Sequence, residues 1–292
     1  MHHHHQQGDH ACTESRDTKN LSRAFFLNLT FTIIEIIGGV LTNSVAVLAD
    51  AVHDLGDSLS LGIAWYLQKL SKRKPDTQFT YGYQRFSLLG ASITALVLII
   101  GGVLILSETI PRVWNPQAAH ATGMIGLALL GILVNGLAVL QTQGGKSLSE
   151  QMVSWHLLED VLGWVAVLIG GVIMYFFEVP FIDPLLSIGI TLWVLYNVFR
   201  HLIKVVRILL LAVPTGVDVA EVRLILKELE GVEAIKQLQI WSLDGNEHVL
   251  TTQLRVPGVL SVKELATLKV TAMKALHPLG FKQVTIAWET DA

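Results

Sequence analysis

Cysteine is nearly absent from the chain, with Cys12 alone among 292 residues. One thiol can form no intramolecular disulfide and build no thiolate-rich metal cage. Charge is scarce as well. Asp, Glu, Lys and Arg make up 15% of the chain, whereas soluble domains carry roughly a quarter, too little here to coat a surface for water. With 51% hydrophobic residues, the composition points to a membrane protein. The net charge of -3 lacks the basic footprint of a nucleic-acid binder, so no such partner is expected. Segment 1–20 is polar and lacks the apolar stretch of a cleavable signal peptide. Its histidines, His2 to His5 and His10, fit an expression tag as well as a native metal-gathering tail.

Six apolar runs, about 21–42, 45–70, 84–110, 121–142, 153–177 and 182–210, are each long enough to cross a bilayer. Turn chemistry separates them, as in Thr42-Asn43-Ser44, Lys74-Pro75-Asp76, Pro111 through Pro116 and Gly144-Gly145. Lys69, Lys72, Arg73, Lys74, Arg85, Lys146, Arg200, Lys204 and Arg207 flank one side, and Arg112 is alone among Lys and Arg on the other, with Glu178 and Asp183. The positive-inside rule then places both termini in the cytoplasm. After Pro214 the period changes, giving a helix over 217–229, strands over 235–242 and 248–256, a helix over 261–276 and a strand over 284–288. Ser261 and Glu264 open the second of these helices as a capping box. The expected organisation is a polar tail (1–20), a six-helix transmembrane domain (21–211) and a small cytoplasmic α+β domain of order α-β-β-α-β (212–292).

An ionisable residue within a span costs at least about 2.5 kcal/mol on insertion scales, so each one needs a reason. The second run carries Asp50, His53, Asp54 and Asp57 at i, i+3, i+4 and i+7, on one helical face. The fifth carries His156 and Asp160 at i and i+4, with Glu159 beside them. His-x-x-x-Asp thus occurs twice, and side chains at that spacing can reach one ion. Two such helices facing each other offer two imidazoles and two carboxylates, a tetrahedral set suited to Zn²⁺ whose charge one divalent cation cancels. Without the metal, protons are the alternative occupants. Each pair read singly is a local salt bridge, and the duplication favours a shared site. Asp50, Asp54 and Glu159 are candidates for tuning or lining that site, as are Glu35, Asn28 and Asn135 on the first and fourth runs. Asn in a span also serves as glue between helices. The pairs Gly38-Gly39, Gly101-Gly102 and Gly170-Gly171 are expected to permit close helix packing.

These residues resemble the cation diffusion facilitator family, in particular its bacterial zinc-efflux branch, over nearly all of 21–289. The specific pieces are Leu41-Thr42-Asn43-Ser44, Leu48 through His53 with Asp57, Phe79 through Arg85, His156 through Asp160, and Ile240-Trp241-Ser242. The resemblance implies six spans, a metallochaperone-like cytoplasmic domain, a homodimer in the bacterial inner membrane, and export of divalent metal in exchange for protons. It also implies His53, Asp57, His156 and Asp160 as transport ligands, with Zn²⁺ the expected cargo. Manganese-type members tend to carry Asp in place of the first His. Some relatives bind a second metal in the loop after the second span. Here Asp76 remains, but Phe79 and Tyr83 stand at the His positions, so no loop site is expected. Tail-domain ligand positions look like Lys236, Gln239, Gln253 and Ala287, leaving His248, His277 and Glu289 as weak candidates.

Cd²⁺, Co²⁺, Ni²⁺ and Fe²⁺ also accept His and Asp, so the ligand types alone leave selectivity open. Two other classes would use the same residues. A membrane-embedded zinc hydrolase would need an open metal position and a base such as Glu159 or Asp54, but the chain has no His-Glu-x-x-His motif. A metal-sensing receptor would need metal-dependent rearrangement without flux. No catalytic cofactor is expected.

Overall fold

The computed structural model describes residues 7–70, 75–142, 148–177, 179–258 and 260–290. Side chains are described from Phe25 onward, except at 64–65, 68–69, 138, 141–142 and 148–157. His2 to His5 lie outside the described residues, as does the side chain of His10.

Among the described residues, six long helices precede Pro214: α1 (Gln7–Thr42), α2 (Val45–Leu70), α3 (Phe86–Trp114), α4 (Ala121–Thr142), α5 (Leu148–Phe177) and α6 (Ile182–Leu209). Four of them hold stretches long and apolar enough to cross a membrane, namely Phe25–Thr42, Phe86–Trp114, Leu158–Phe177 and Ile182–Leu209. A shorter apolar stretch, Ala121–Leu137, lies in α4, while α2 carries Asp50, His53, Asp54 and Asp57. Residues of 1–70 and 90–201 form one compact unit, and those of 71–89 and 202–292 another.

The helical unit inverts the usual distribution of polarity. Leu27, Leu41, Leu104, Leu140 and Phe177 are exposed, whereas Glu35, Asp50, Asp54, Asn135 and Asp183 are buried. Such a surface is stable against hydrocarbon and costly in water. Contacts between helices depend on missing side chains. A Cβ at Gly38 would collide with Leu127, one at Gly101 with Val52, and one at Gly170 with Leu186, so the expected role of the glycine pairs in close packing holds. Among the tightest is Gly131 on α4, where a Cβ would fall 2.3 Å from the ring of Trp164 on α5. Trp164 is fully buried and meets Phe31 of α1 edge-on at 6.0 Å between centroids. Gly131→Ala is therefore expected to destabilise the unit by about 2 kcal/mol through overpacking, read as a lower midpoint of thermal unfolding in detergent.

The second unit holds the small domain, with order α7 (Val219–Lys227), β1 (Ala234–Ser242), β2 (His248–Val256), α8 (Val262–Leu276), a short 3-10 turn and β3 (Phe281–Thr290). The central strand β2 pairs antiparallel with β1 and parallel with β3. A parallel return needs a crossover, which α8 supplies. Alternate residues Leu250, Leu254 and Val256 of β2 pack with Val222 and Leu226 of α7 and Leu268, Ala272 and Leu276 of α8. The capping box forms as expected. Ser261 Oγ accepts from the Glu264 amide at 3.3 Å, and the Glu264 carboxylate accepts from the Ser261 hydroxyl and amide at 2.7 Å each. Those bonds, the hydroxyl first, hold the Glu264 carboxyl below its ordinary range.

In the same unit, the loop before α3 folds around Asp76. Its carboxylate accepts from the amides of Gln78 (2.9 Å) and Phe79 (2.7 Å) and from the Tyr83 hydroxyl (2.6 Å). Phe79, Tyr83 and Phe86 stack behind it, with centroids 5.0 to 5.4 Å apart.

Candidate metal centre

Helical spacing puts His53 and Asp57 one turn apart on α2, and α5 approaches that face closely. Gly163 lies against Asp50, where a Cβ would stand in ordinary contact with Oδ1 at 3.6 Å. Asp160, one turn earlier on α5, is thereby brought to His53. The imidazole Nε2 lies 3.6 Å from Asp160 Oδ1 and 3.8 Å from Asp57 Oδ2. One donor atom from each of the three falls within 4.8 Å of the others, and among the described residues no other group of three could hold a metal in this way. Ligands about 2.0 to 2.1 Å from a tetrahedral zinc stand roughly 3.3 to 3.4 Å apart, so the two His–Asp separations are within about half an ångström of that spacing, while the two carboxylates are within 4.8 Å of each other. The side chain of His156 lies outside the described residues.

Asp160 Oδ1 is buried and receives no hydrogen bond from a described donor. Buried carboxylate oxygens are normally satisfied, and a cation would satisfy this one. The triad lies beside a cavity of about 520 Å³ lined by Asp50, His53, Glu159 and Asp160 together with Trp193 and Asn197 of α6. Nothing in the spacing of Trp193 and Asn197 marked them, because they reach the site only through tertiary packing.

The other candidates divide by place. Asp50 and Glu159 line the cavity, and Asp54 is buried beside it. Asn28 acts as a tie between helices, donating to the Asp54 carbonyl and to Ser58 Oγ, both at 3.0 Å. Among the described residues, buried Asn135 Nδ2 finds no acceptor, and neither oxygen of the fully buried Glu35 receives a donor.

One structural residue read from the sequence only as a flanking charge is Asp183, in the first turn of α6. It is buried and caps α2, accepting from Ser44 Oγ at 2.5 Å, Val45 N at 2.9 Å and Ala46 N at 3.2 Å. Arg112 completes this end, donating to the Asn43 carbonyl at 3.1 Å and Oδ1 at 3.0 Å while paired with Glu108.

The tail-domain candidates are not brought together. His248 begins β2, opposite Phe281, and His277 caps the end of α8. Glu289 sits at the far end of the sheet opposite Arg255. Its carboxylate meets Lys236 Nζ and Arg255 Nη2 at 3.6 Å each and accepts from Gln253 Nε2 at 3.1 Å. Fixed side-chain cations occupy that acid.

Comparison with known proteins bears on both units. A family model described as cation efflux transmembrane domain matches residues 21–210, and one described as cation efflux protein, cytoplasmic domain, matches 214–289. A Bacillus subtilis protein named cadmium, cobalt and zinc/H(+)-K(+) antiporter is 32% identical over 287 residues, covering 97% of this chain and 92% of that one. The metal cation efflux system protein CzcD of Cupriavidus metallidurans is 34% identical over 238 residues, 81% and 75% of the two chains. The zinc transporter ZitB of Escherichia coli is 31% identical over 260 residues, 88% and 83%.

Proposed function

The chain belongs to the cation efflux family of membrane transporters, and from that premise we propose that it exports Zn²⁺ in exchange for protons through a site formed by His53, Asp57, His156 and Asp160. It is a transporter of divalent metal cations and not an enzyme, which sets the hydrolase reading aside. The observation that carries the finer reading is the triad His53, Asp57 and Asp160, whose donor atoms lie within 4.8 Å at the wall of a cavity. His156, one turn before Asp160, would supply the fourth ligand. Six spans, both termini in the cytoplasm of a bacterial inner membrane and a homodimer complete the proposal. The clustering of Lys and Arg on one side of the spans supports the orientation, and the match of the tail to the family's cytoplasmic domain supports the dimer.

The cycle follows from competition for the same lone pairs. Zn²⁺ entering from the cytoplasm displaces protons from the imidazoles and carboxylates. After the site opens to the other side, protons displace the ion. Selectivity for zinc over Cd²⁺ and Co²⁺ rests on how tightly the helices hold the donors at tetrahedral spacing.

The test is zinc movement in vesicles reconstituted with the purified protein. An imposed pH gradient is expected to drive zinc against its own gradient, with one ion bound per protomer when residues 1–10 are removed. Metal-dependent rearrangement without flux would favour the receptor reading, and three or more ions per protomer would move part of the metal chemistry into the tail or loop.

A further inference from the structure

Glu35 sits in the middle of α1 with 0% of its surface exposed, and neither carboxylate oxygen receives a hydrogen bond from a described donor. Among the described residues, the charged groups facing it are Asp54 and Asp50 of α2, the helix packed most extensively on α1, and Asp160 of α5. The remaining helix packed on α1 is α4, which has no titratable residue and contributes only the buried amide of Asn135 as a polar neighbour of this kind. Two carboxylates are both acceptors, so a bond between Glu35 and Asp54 exists only with a proton in it. Glu35 is also absent from the wall of the cavity that Asp50, His53 and Asp160 line. A metal ion travels through open volume and needs several converging donors, whereas a proton needs only one acceptor next to another.

We propose that Glu35 is a proton-carrying residue of the transport cycle, separate from the metal ligands, and that it loses its proton when the divalent ion enters the neighbouring site. This rests on the transport reading above and adds a group to it. The step is a proton transfer alone. The O–H bond at Glu35 breaks, the proton passes to water, and no electron moves. Charge supplies the driving force, since the incoming dication disfavours a proton on the neighbouring α1 carboxyl.

Protons released on metal binding are counted by calorimetry of the detergent-purified full chain with Zn²⁺ in two buffers of different ionisation enthalpy. Glu35→Gln is expected to bind zinc with an affinity within about threefold of the wild type, because the ligands are untouched, and to release about one proton fewer per ion. Glu35→Asp, which keeps a carboxyl, is expected to restore the wild-type count. An unchanged count in Glu35→Gln overturns the proposal, as does a count lowered equally in both variants, which would assign Glu35 a packing role. Loss of zinc binding in a folded Glu35→Gln would make Glu35 a ligand and overturn it too. Should the Gln variant fail to fold, Glu35→Met takes its place under the same criteria. A wild-type chain that binds no zinc would instead overturn the transport-site reading itself.

Discussion

Asp160→Asn is expected to abolish zinc flux, by about 100-fold or more, while leaving the protein folded. The amide keeps the shape of the side chain and an oxygen, so packing between α2 and α5 survives. It removes one of the two carboxylate charges that face the ion. Changes merely outside the ligand shell lower metal affinity by about 10 to 100-fold, and loss of a charged ligand in a site of low dielectric exceeds that. The oxygen involved, Oδ1, is the buried one that receives no hydrogen bond from a described donor, so the wild type offers a charged acceptor there and the variant at best a neutral one. Flux is read in vesicles under a pH gradient beside the wild type at equal protein content. Transport within twofold of the wild type would remove Asp160 from the site.

Asp183→Ala is expected to act on the fold. It strips the acceptor from Ser44 Oγ, Val45 N and Ala46 N at once, in a place closed to water. Each buried donor left without a partner costs about 1 to 3 kcal/mol, and since such losses overlap, a total of about 3 kcal/mol is expected. At roughly 2 to 4 °C per kcal/mol for a chain of this size, the midpoint of thermal unfolding in detergent falls by about 10 °C. Asp183→Asn, which retains one good acceptor, should fall between. An unchanged midpoint for the alanine variant would show that α2 holds its first turn without help from α6.

Much of this architecture was legible because it is local. The expected runs 45–70 and 121–142 coincide with α2 and α4, and the alternating stretch 248–256 coincides with β2. Both helices are bounded by turn residues, and hydrophobicity alone fixes the rest. Helix ends were misjudged wherever structure outlasts hydrophobicity. The α1 helix begins at Gln7 and α5 at Leu148, both before their apolar stretches. The α3 helix runs through Pro111 to Trp114, where a break was expected. Pro111 lies in the last turn, and Arg112 fastens that turn to Glu108 and Asn43, so the lost backbone bond does not end the helix. The last strand was read as 284–288 because only that part alternates cleanly. Its ladder to β2 carries it from Phe281 to Thr290. The parallel sense of that ladder is a property of the crossover and has no local signature.

The site divides the same way. His53 and Asp57 are visible at i and i+4, and Asp160 could be tied to them only because the motif recurs. The cap on α2 joins residues 138 apart in sequence, beyond the reach of any periodicity, and Asp183 therefore looked like a flanking charge. Glu35 stood out as a lone acid in an apolar run, but its facing Asp54 is set by the pairing of α1 with α2.

The clamp on the first turn of α2 has a mechanical consequence. His53 lies eight residues beyond Val45, about 12 Å along the axis at 1.5 Å per residue. With its first turn pinned to α6, α2 acts as a lever with a fixed fulcrum. A tilt of about 10° about that point swings the imidazole by about 2 Å, which is the length of a zinc–nitrogen bond. At the proposed site, a small rocking of one helix would therefore be enough to separate the imidazole from a bound ion, with no unwinding and no sliding of the helix along its axis.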